Sequence, residues 1–334
     1  MTRLSSLCAT AAAVLFAAGC GKSPPPTTQT DDGSTITAIR FQTDWYPQAE
    51  HGGFYQALAT GGYAESGLDV TILPGGPGPT ATTKLASGAA DIAMGRSDDI
   101  MRNIADGLPF VIVGAFMQHD PQALLLHAAN PVTRFEDLDG KTIMAIPGSN
   151  WINVLKARYQ IDFSIIPTNF GIAQFMGNPE FIQQCFVTNE PFYVAQNGAK
   201  PKTMLLADTG FDPYRVIFTK KAFLRDHPEA VKAFVAASTA GWRDYIEGDS
   251  QPGNALIQAR NDQMSDAFIA FSIQTMRDNG LIGGNPTTTE TYGQLLLSRM
   301  EATMATMVEL KLISQPLDLN AVVAFDMVAE LPAP

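Results

Sequence analysis

Apolar and polar positions fall into an ordered pattern from residue 36 onward. ITAIRFQ (36–42) alternates and is rich in β-branched residues, which predicts a strand. Residues 53–60 read as a helix, closed by Gly61-Gly62. LDVTIL (68–73) predicts the next strand, stopped by the turn-forming PGGPGP. Residues 80–87 predict a short helix with Gly88 as its C-terminal cap, and DIAMG (91–95) predicts a third strand. Ser97 is placed to cap the helix that follows. FVIVGAF (110–116) is a continuous apolar run of the kind shown by parallel strands buried on both faces. The repeated strand–helix–strand order predicts an α/β fold with parallel-rich sheets flanked by helices.

A second unit begins near residue 130. FEDLDGKTIMAIPGSN supplies a turn, a strand at 142–146 and a helix starting near Trp151. QQCFVTNEPF supplies a strand near 185–188, and YRVIFTKKAF (214–223) returns the chain. The remainder is mostly helical, with Pro228 in a first turn and amphipathic segments at 265–279 and 290–312. These segments predict lobe I from 35–127, an inserted lobe II from 128–214, and a return with a helical tail over 215–334. The crossings are expected near 125–130 and 212–217, and the tail is expected to pack back on lobe I. Two lobes joined by two extended crossings enclose a cleft that can hinge.

The N-terminus is of another kind. Arg3 is followed by the apolar run LCATAAAVLFAA (7–18), too short for a stable membrane span and suited to a signal peptide. The run ends Ala17-Ala18-Gly19-Cys20, which resembles the lipobox of bacterial lipoproteins. That resemblance implies cleavage of residues 1–19, a diacylglycerol on Cys20, and a periplasmic or cell-envelope protein tethered to the membrane by lipid. GKSPPPTTQTDDGS (21–34) has no apolar residue to bury and is expected to be a disordered tether. No other run is long and apolar enough for a transmembrane helix.

Composition narrows the chemistry. The 334 residues carry 33 acidic and 22 basic side chains, a net charge of −11, which disfavours nucleic acid as a partner. The 46% hydrophobic content is ample for a core. Of three cysteines only Cys185 lies in the body, so no internal disulfide is expected. The four histidines are scattered and no CxxC occurs, so no metal site is expected. GxSxG, HExxH, P-loop and GxGxxG patterns are absent, and no cofactor or enzymatic activity is expected.

Several segments together resemble one family. TDWYPQAEHGGFYQALATGGYAESGLDV, KLASGAADIAMGRSDD, FEDLDGKTIMAIPGS and HPEAVKAFVAASTAGWRDYI resemble the periplasmic substrate-binding proteins for thiamine-pyrimidine precursors. Relatives in that family bind sulfonates, taurine, nitrate or riboflavin. The resemblance spans about residues 36–250. It implies a type II two-lobed binding-protein fold, a small-molecule ligand in the interlobe cleft, and an ABC permease and ATPase as partners, with the binding protein a monomer. Related eukaryotic pyrimidine synthases carry a cysteine-rich cluster that this chain lacks.

In such folds the ligand sits at the carboxyl ends of strands and the amino ends of helices. Trp45 can stack on a flat heterocycle there, and Asp44 can accept from an amino group; equally, Trp45 can be core and Asp44 a turn cap. His51 can donate and accept, or serve as a structural histidine. Arg96 and Ser97 follow the third strand and suit a polar or anionic ligand atom, although Arg96 can instead pair with Asp98 or Asp99. The resemblance aligns Glu190 with the glutamate that contacts the pyrimidine. A carboxylate fits the donor edge of an aminopyrimidine and repels sulfonate or nitrate. Asn150 and Trp151 are candidates for the opposite wall, with Trp151 also at core spacing from Leu155.

Overall fold

The computed structural model describes residues 27–29, 35–78, 80–284 and 290–327. The predicted signal peptide and Cys20 lie outside these residues. Among the described residues, eleven strands form two mixed sheets. In chain order they are β1 (Thr27–Gln29), β2 (Thr35–Gln42), β3 (Leu68–Leu73), β4 (Ile92–Arg96), β5 (Phe110–Met117), β6 (Gln122–His127), β7 (Thr142–Ala145), β8 (Ser164–Pro167), β9 (Ile182–Phe186), β10 (Pro201–Leu205) and β11 (Arg215–Lys220).

The first sheet runs β2-β4-β11-β5, with β3 parallel to β2 on its other side. β1 covers the start of β2, so three residues of the expected tether are a strand: TTQ is β-compatible and meets unpaired backbone at residues 35–37. β11 lies antiparallel between β4 and β5. FVIVGAF is thus an antiparallel strand where the apolar run suggests a parallel one. It is buried along its whole length because helices cover both faces, and burial is all that an apolar run encodes.

The second sheet runs β10-β6-β9-β7-β8, with β7 parallel to β8 and β9, and β6 antiparallel to β9 and β10. The chain passes from first sheet to second across Gln118–Pro121 and returns between Leu206 and Tyr214. Residues 122–127, near the expected first crossing, are β6 and belong to the second sheet.

The core of the first lobe is aromatic. Phe41 lies 4.5 Å from Phe54 and 5.0 Å from Phe234, ring centre to ring centre, and Trp242 packs edge-on against Phe54 at 5.7 Å. Such pairs add about 0.5–1.5 kcal/mol each beyond their burial. The helices Gly52–Ala59 and Pro228–Glu247 approach through glycines. A Cβ on Gly53 would sit 2.1 Å from Trp242, and one on Gly241 would sit 2.4 Å from the Gly53 carbonyl. The C-terminal tail does pack on this lobe: Met300, Met307 and Val322 join Ile112 and Phe218 in a second cluster, and Val323 bridges to Ile112. A third cluster, around Leu124, Ile143, Trp151 and Ile182, fills the second lobe.

The crossings are tied to each other and to the tail. His119 Nδ1 contacts Asp212 Oδ2 at 2.5 Å and its Nε2 contacts Glu290 at 3.0 Å. Arg299 pairs with both of those carboxylates at 3.2 and 2.7 Å and lies over the Tyr214 ring. The hydrogen bond to Asp212 outweighs burial and holds the His119 pKa above its ordinary value.

The glycine contact makes a stability prediction. Gly241→Val forces a side chain into the Gly53 backbone and should cost at least the ~1–3 kcal/mol typical of overpacking. That is a melting-temperature fall of roughly 2–4 °C per kcal/mol for a body of about this size. An unchanged melting temperature would mean that the two helices separate freely.

Candidate ligand-binding site

The ends of β2, β4 and β11 bring Asp44, Arg96 and Arg215 to one edge of the first sheet. The loop bearing Asp44 and Trp45 is backed by Gly75, whose N–H donates to the Trp45 carbonyl at 2.9 Å. A Cβ at Gly75 would lie 2.4–2.6 Å from the backbone of residues 43–45, so only glycine fits beneath this loop. The PGGPGP turn is the seat of the Trp45 loop.

Asp44 accepts from His51 Nε2 at 3.1 Å and from Arg215 Nη1 at 3.2 Å. Burial opposes its charge, but the His51 hydrogen bond and the Arg215 guanidinium hold its carboxyl below the usual range. Asp120, on the first crossing, lies between two guanidiniums, 3.1 Å from Arg96 Nε and 3.3 Å from Arg215 Nε. Arg96 also pairs with Asp98 at 3.2 Å and donates to Gln122 at 2.9 Å. Burial works against the Arg96 charge, yet Asp98 and Asp120 raise its pKa above the ordinary arginine value. Burial pushes Asp98 up to about 6 against the pull of Arg96.

The second lobe closes over this edge. Asn150 donates to Asp98 at 2.8 Å and accepts from Arg102 at 2.9 Å. Thr188 Oγ1 donates to Glu50. Phe170, held at φ +59°, packs on Trp45 at 5.0 Å, and Phe186 lies under the Arg215 guanidinium at 4.7 Å. Glu190 opens a short helix (Glu190–Gln196) and accepts the Phe186 N–H at 2.9 Å. Its pKa is pushed up to about 7, chiefly by burial and further by the negative charge of Glu50, against that hydrogen bond. Burial likewise raises Glu50.

The structure therefore brings Asp44, His51, Arg96 and Asn150 into contact with one another or with shared partners, and places Trp45 at the mouth. Glu190 stands on the opposing lobe. Arg96 takes the ion-pair alternative, with Asp98 and Asp120 as partners and without Asp99. Ser97 is fully buried as the first residue of its helix, and Arg96 occupies the cap position. The Ser97 N–H donates to the Tyr214 carbonyl, and its hydroxyl makes no cap hydrogen bond. Trp151 is 2% exposed, packed over Phe163 in the second-lobe core. Glu50, Asp120, Phe170, Phe186 and Arg215 join the site without any expectation from sequence. Arg215 had one available signal: a basic residue directly before the apolar run Val216, Ile217, Phe218 of its strand.

Between the lobes lies a cavity of about 10 Å³, room for one water-sized group. Asp44, Glu50, His51, Phe116, Phe186 and Arg215 are among its walls. The lobes are thus closed on each other; many polar groups of the cleft pair with one another, while Glu50 Oε2, His51 Nδ1 and Arg215 Nη2 are buried without a hydrogen-bond partner.

Comparison with known proteins places this arrangement. The chain is 23% identical over 293 residues to a formylaminopyrimidine-binding protein of Halalkalibacterium halodurans, covering 81% of this chain and 86% of that one. It is 23% identical over 248 residues to a 4-amino-5-hydroxymethyl-2-methylpyrimidine phosphate synthase of Schizosaccharomyces pombe, covering 68% and 71%. The periplasmic aliphatic sulphonate binding protein SsuA of Escherichia coli has a similar fold, with a TM-score of 0.63 at 17% identity over 86% of this chain and 92% of that one. The two sheets, the double crossing and the cleft are those of a type II periplasmic binding protein. The family model described as NMT1/THI5 like matches residues 48–251, most of the chain, and the protein belongs to that family.

Proposed function

We propose that this chain is the extracytoplasmic solute-binding component of an ABC importer, and that its ligand is a small nitrogen heterocycle resembling a thiamine-pyrimidine precursor. The observation that carries this reading is the charge of the cleft. Arg96 and Arg215 are shared among Asp44, Asp98 and Asp120, while the carboxylates of Glu50 and Glu190 have no cationic partner among the described residues. A sulfonate or nitrate entering this cleft meets guanidiniums already shared with aspartates, with Arg215 Nη2 a donor left without a partner, and then faces two further carboxylates. A heterocycle with an amino edge meets acceptors instead.

Trp45 and Phe170, one from each lobe, touch at 5.0 Å and are the aromatic faces that would part to receive a flat ring. The formylaminopyrimidine-binding relative and the pyrimidine phosphate synthase are both named for the same ring. The synthase relative also keeps an enzymatic alternative within the family. Binding is favoured because Asp44, Asp98 and Asp120 are held in ion pairs with Arg96 and Arg215, and the body's single cysteine, Cys185, is buried with its thiol pKa raised well above normal. Riboflavin, sulfonates, taurine and nitrate are the other solutes to test on this fold.

Ligand and site can be tested together. Thermal shift of the mature chain against aminopyrimidines, thiamine, riboflavin, taurine, alkanesulfonates and nitrate should give a rise with an aminopyrimidine. A rise with a sulfonate or nitrate alone would overturn the ligand assignment. Trp45→Ala and Glu190→Gln should each weaken aminopyrimidine binding by about tenfold or more, the loss expected of a stacking surface or a charge-assisted hydrogen bond. With burial pushing the Glu190 pKa up to about 7, affinity for a neutral aminopyrimidine should fall as pH drops below 7, by at most about tenfold per unit for one proton. In Glu190→Gln that fall should flatten. Unchanged affinity in both variants would remove these residues from the site.

The lipoprotein leader is proposed on sequence grounds. Cys20→Ser should release the protein from membranes into the soluble fraction, and continued membrane association would refute lipidation at Cys20.

A further inference from the structure

The hinge carries a cluster of charges that lies outside the ligand cleft. The first crossing is fixed to the tail: the backbone N–H groups of Gln118 and His119 donate to the Leu281 carbonyl at 2.7 and 3.2 Å. Gln118 Nε2 donates to the Gln294 carbonyl at 3.1 Å, and Arg299 Nη2 donates to the Gln118 carbonyl at 2.7 Å. This part of the tail packs on the first lobe through Leu295 and Met300. The second crossing is tied to the first through one side chain. Asp212 Oδ1 accepts the Asp120 N–H at 2.9 Å, and Asp212 Oδ2 faces His119 Nδ1 at 2.5 Å. Hinge closure is absorbed by the few residues that connect two lobes. The contacts of Asp212 therefore hold the two crossings at the twist that belongs to closed lobes.

His119 faces a carboxylate at each ring nitrogen, Asp212 at Nδ1 and Glu290 at Nε2. An ionised carboxylate can only accept, so each contact needs a hydrogen on the ring. Neutral imidazole has one, and imidazolium has two. Both contacts are therefore made together only by the charged ring. The charge count agrees: His119 and Arg299 against Asp212 and Glu290 form a neutral quartet. Without the proton, two carboxylates share one guanidinium and a ring lone pair points at one of them. The Tyr214 ring lies under Arg299 at 4.0 Å, and its hydroxyl accepts the Leu296 N–H. Asp208 and Arg96 feel the charge of Asp212 at longer range, and the Asp120 carboxylate is turned to Arg96 and Arg215. The Asp212 hydrogen bond outweighs burial in raising the His119 pKa above 6.5; the charges of Asp212 and Glu290 add to it and Arg299 opposes. The proton is thus held below pH 6.5 and lost as pH rises through the raised value. With 27% of its side chain exposed, His119 exchanges that proton with solvent.

We propose that His119 is a proton-operated staple of the hinge: its imidazolium form fastens the second crossing to the first and to the tail and favours closed lobes, and its neutral form frees them to open. A solute-binding protein outside the cytoplasmic membrane meets the pH of its surroundings, so the staple makes retention of a cleft ligand respond to external acidity. Retention weakens as pH rises through the His119 titration. The Glu190 contact acts in the opposite direction, weakening as pH falls, and the two together bound a window of pH. That consequence rests on the solute-binding reading, whereas the staple rests on the four side chains alone.

The test uses the full mature chain without ligand. In nitrogen NMR spectra of the imidazoles at about pH 7, where an ordinary histidine is mostly neutral, both His119 nitrogens should carry hydrogen. The resonance is assigned by its loss in His119→Gln or its displacement in Glu290→Gln. A neutral His119 ring at that pH overturns the proposal. The decisive variant is Glu290→Gln. Its amide oxygen can still accept from Arg299 while its N–H donates to a neutral Nε2, so both ring contacts survive without the charge. Above the His119 titration, small-angle X-ray scattering should show the wild-type protein with a larger radius of gyration than Glu290→Gln. Amide exchange at Asp120, corrected for its intrinsic pH dependence, should be about tenfold faster in the wild type, the loss expected of a charge-assisted hydrogen bond. Below the titration the two proteins should agree. The carboxylates of the cleft are the same in both, so the difference reports the staple. Equal radii and equal exchange above the titration refute it. Because no ligand enters these measurements, failure of the solute-binding reading in the thermal-shift panel leaves the staple standing, and failure of the staple leaves that reading untouched.

Discussion

Two arginines face each other across neighbouring strands: in the antiparallel pairing of β4 with β11, Arg215 is directly opposite Arg96. Like charges in that register repel, and both side chains are about 6% exposed, so water does little to relieve them. Asp120 makes the pairing possible by standing between the two guanidiniums, with Asp98 and Asp44 on the outer flanks. Asp120 belongs to the first crossing and Arg215 begins the last strand after the second. The geometry of the hinge and the charge of the cleft are therefore set by one buried network. Removing a single member of such a network typically costs about 3–5 kcal/mol, because the remaining charge is stranded.

The same network explains why the cleft is acidic in effect although it contains two arginines. Both guanidiniums are engaged by Asp44, Asp98 and Asp120, which leaves little of their charge uncompensated. The carboxylates left over, Glu50 and Glu190, stand on opposite lobes near the same space, and each raises the pKa of the other or of a shared neighbour through its charge. Closing the lobes without a cation between them sets these charges against one another and buries them. A cation or a donor-rich ring reverses the sign of that contribution. A ligand shifts an equilibrium only by its differential affinity for the two states. The acids are where that difference arises.

Much of the fold is legible in the chain because strand alternation and helix punctuation are local. The strands at 36–42, 68–73 and 142–145 and the helix at 80–87 follow from their own residues. Strand direction is not local. The apolar run at 110–117 carries no mark that its partner arrives about a hundred residues later and antiparallel. The site divides in the same way. Asp44, His51, Arg96 and Glu190 follow strands or open helices, positions that point to a cleft whatever the partner. Asp120 and Arg215 acquire their meaning only from each other, 95 residues apart in sequence. Trp151 shows the reverse. A tryptophan at a helix start suits a binding wall and a core equally, and the second lobe, with Phe163 stacked on it, uses it as core.

Glu50 was hidden for a related reason. In the string PQAEHGG a glutamate beside a histidine before two glycines looks like a solvated turn, and an exposed glutamate needs no account. It is buried because the two glycines bring the helix Gly52–Ala59 within contact of Trp242 and Tyr245, which draws the preceding turn into the lobe. The close packing of the first lobe and the placement of an uncompensated acid are thus one event. Substituting either glycine would push the helix outward and with it the Glu50 turn, so the floor of the cleft is held by contacts on the far side of the helix that carries it. An acid placed there by core packing cannot turn to water when the cleft is unliganded. That fixed orientation lets a buried carboxylate discriminate between ligands.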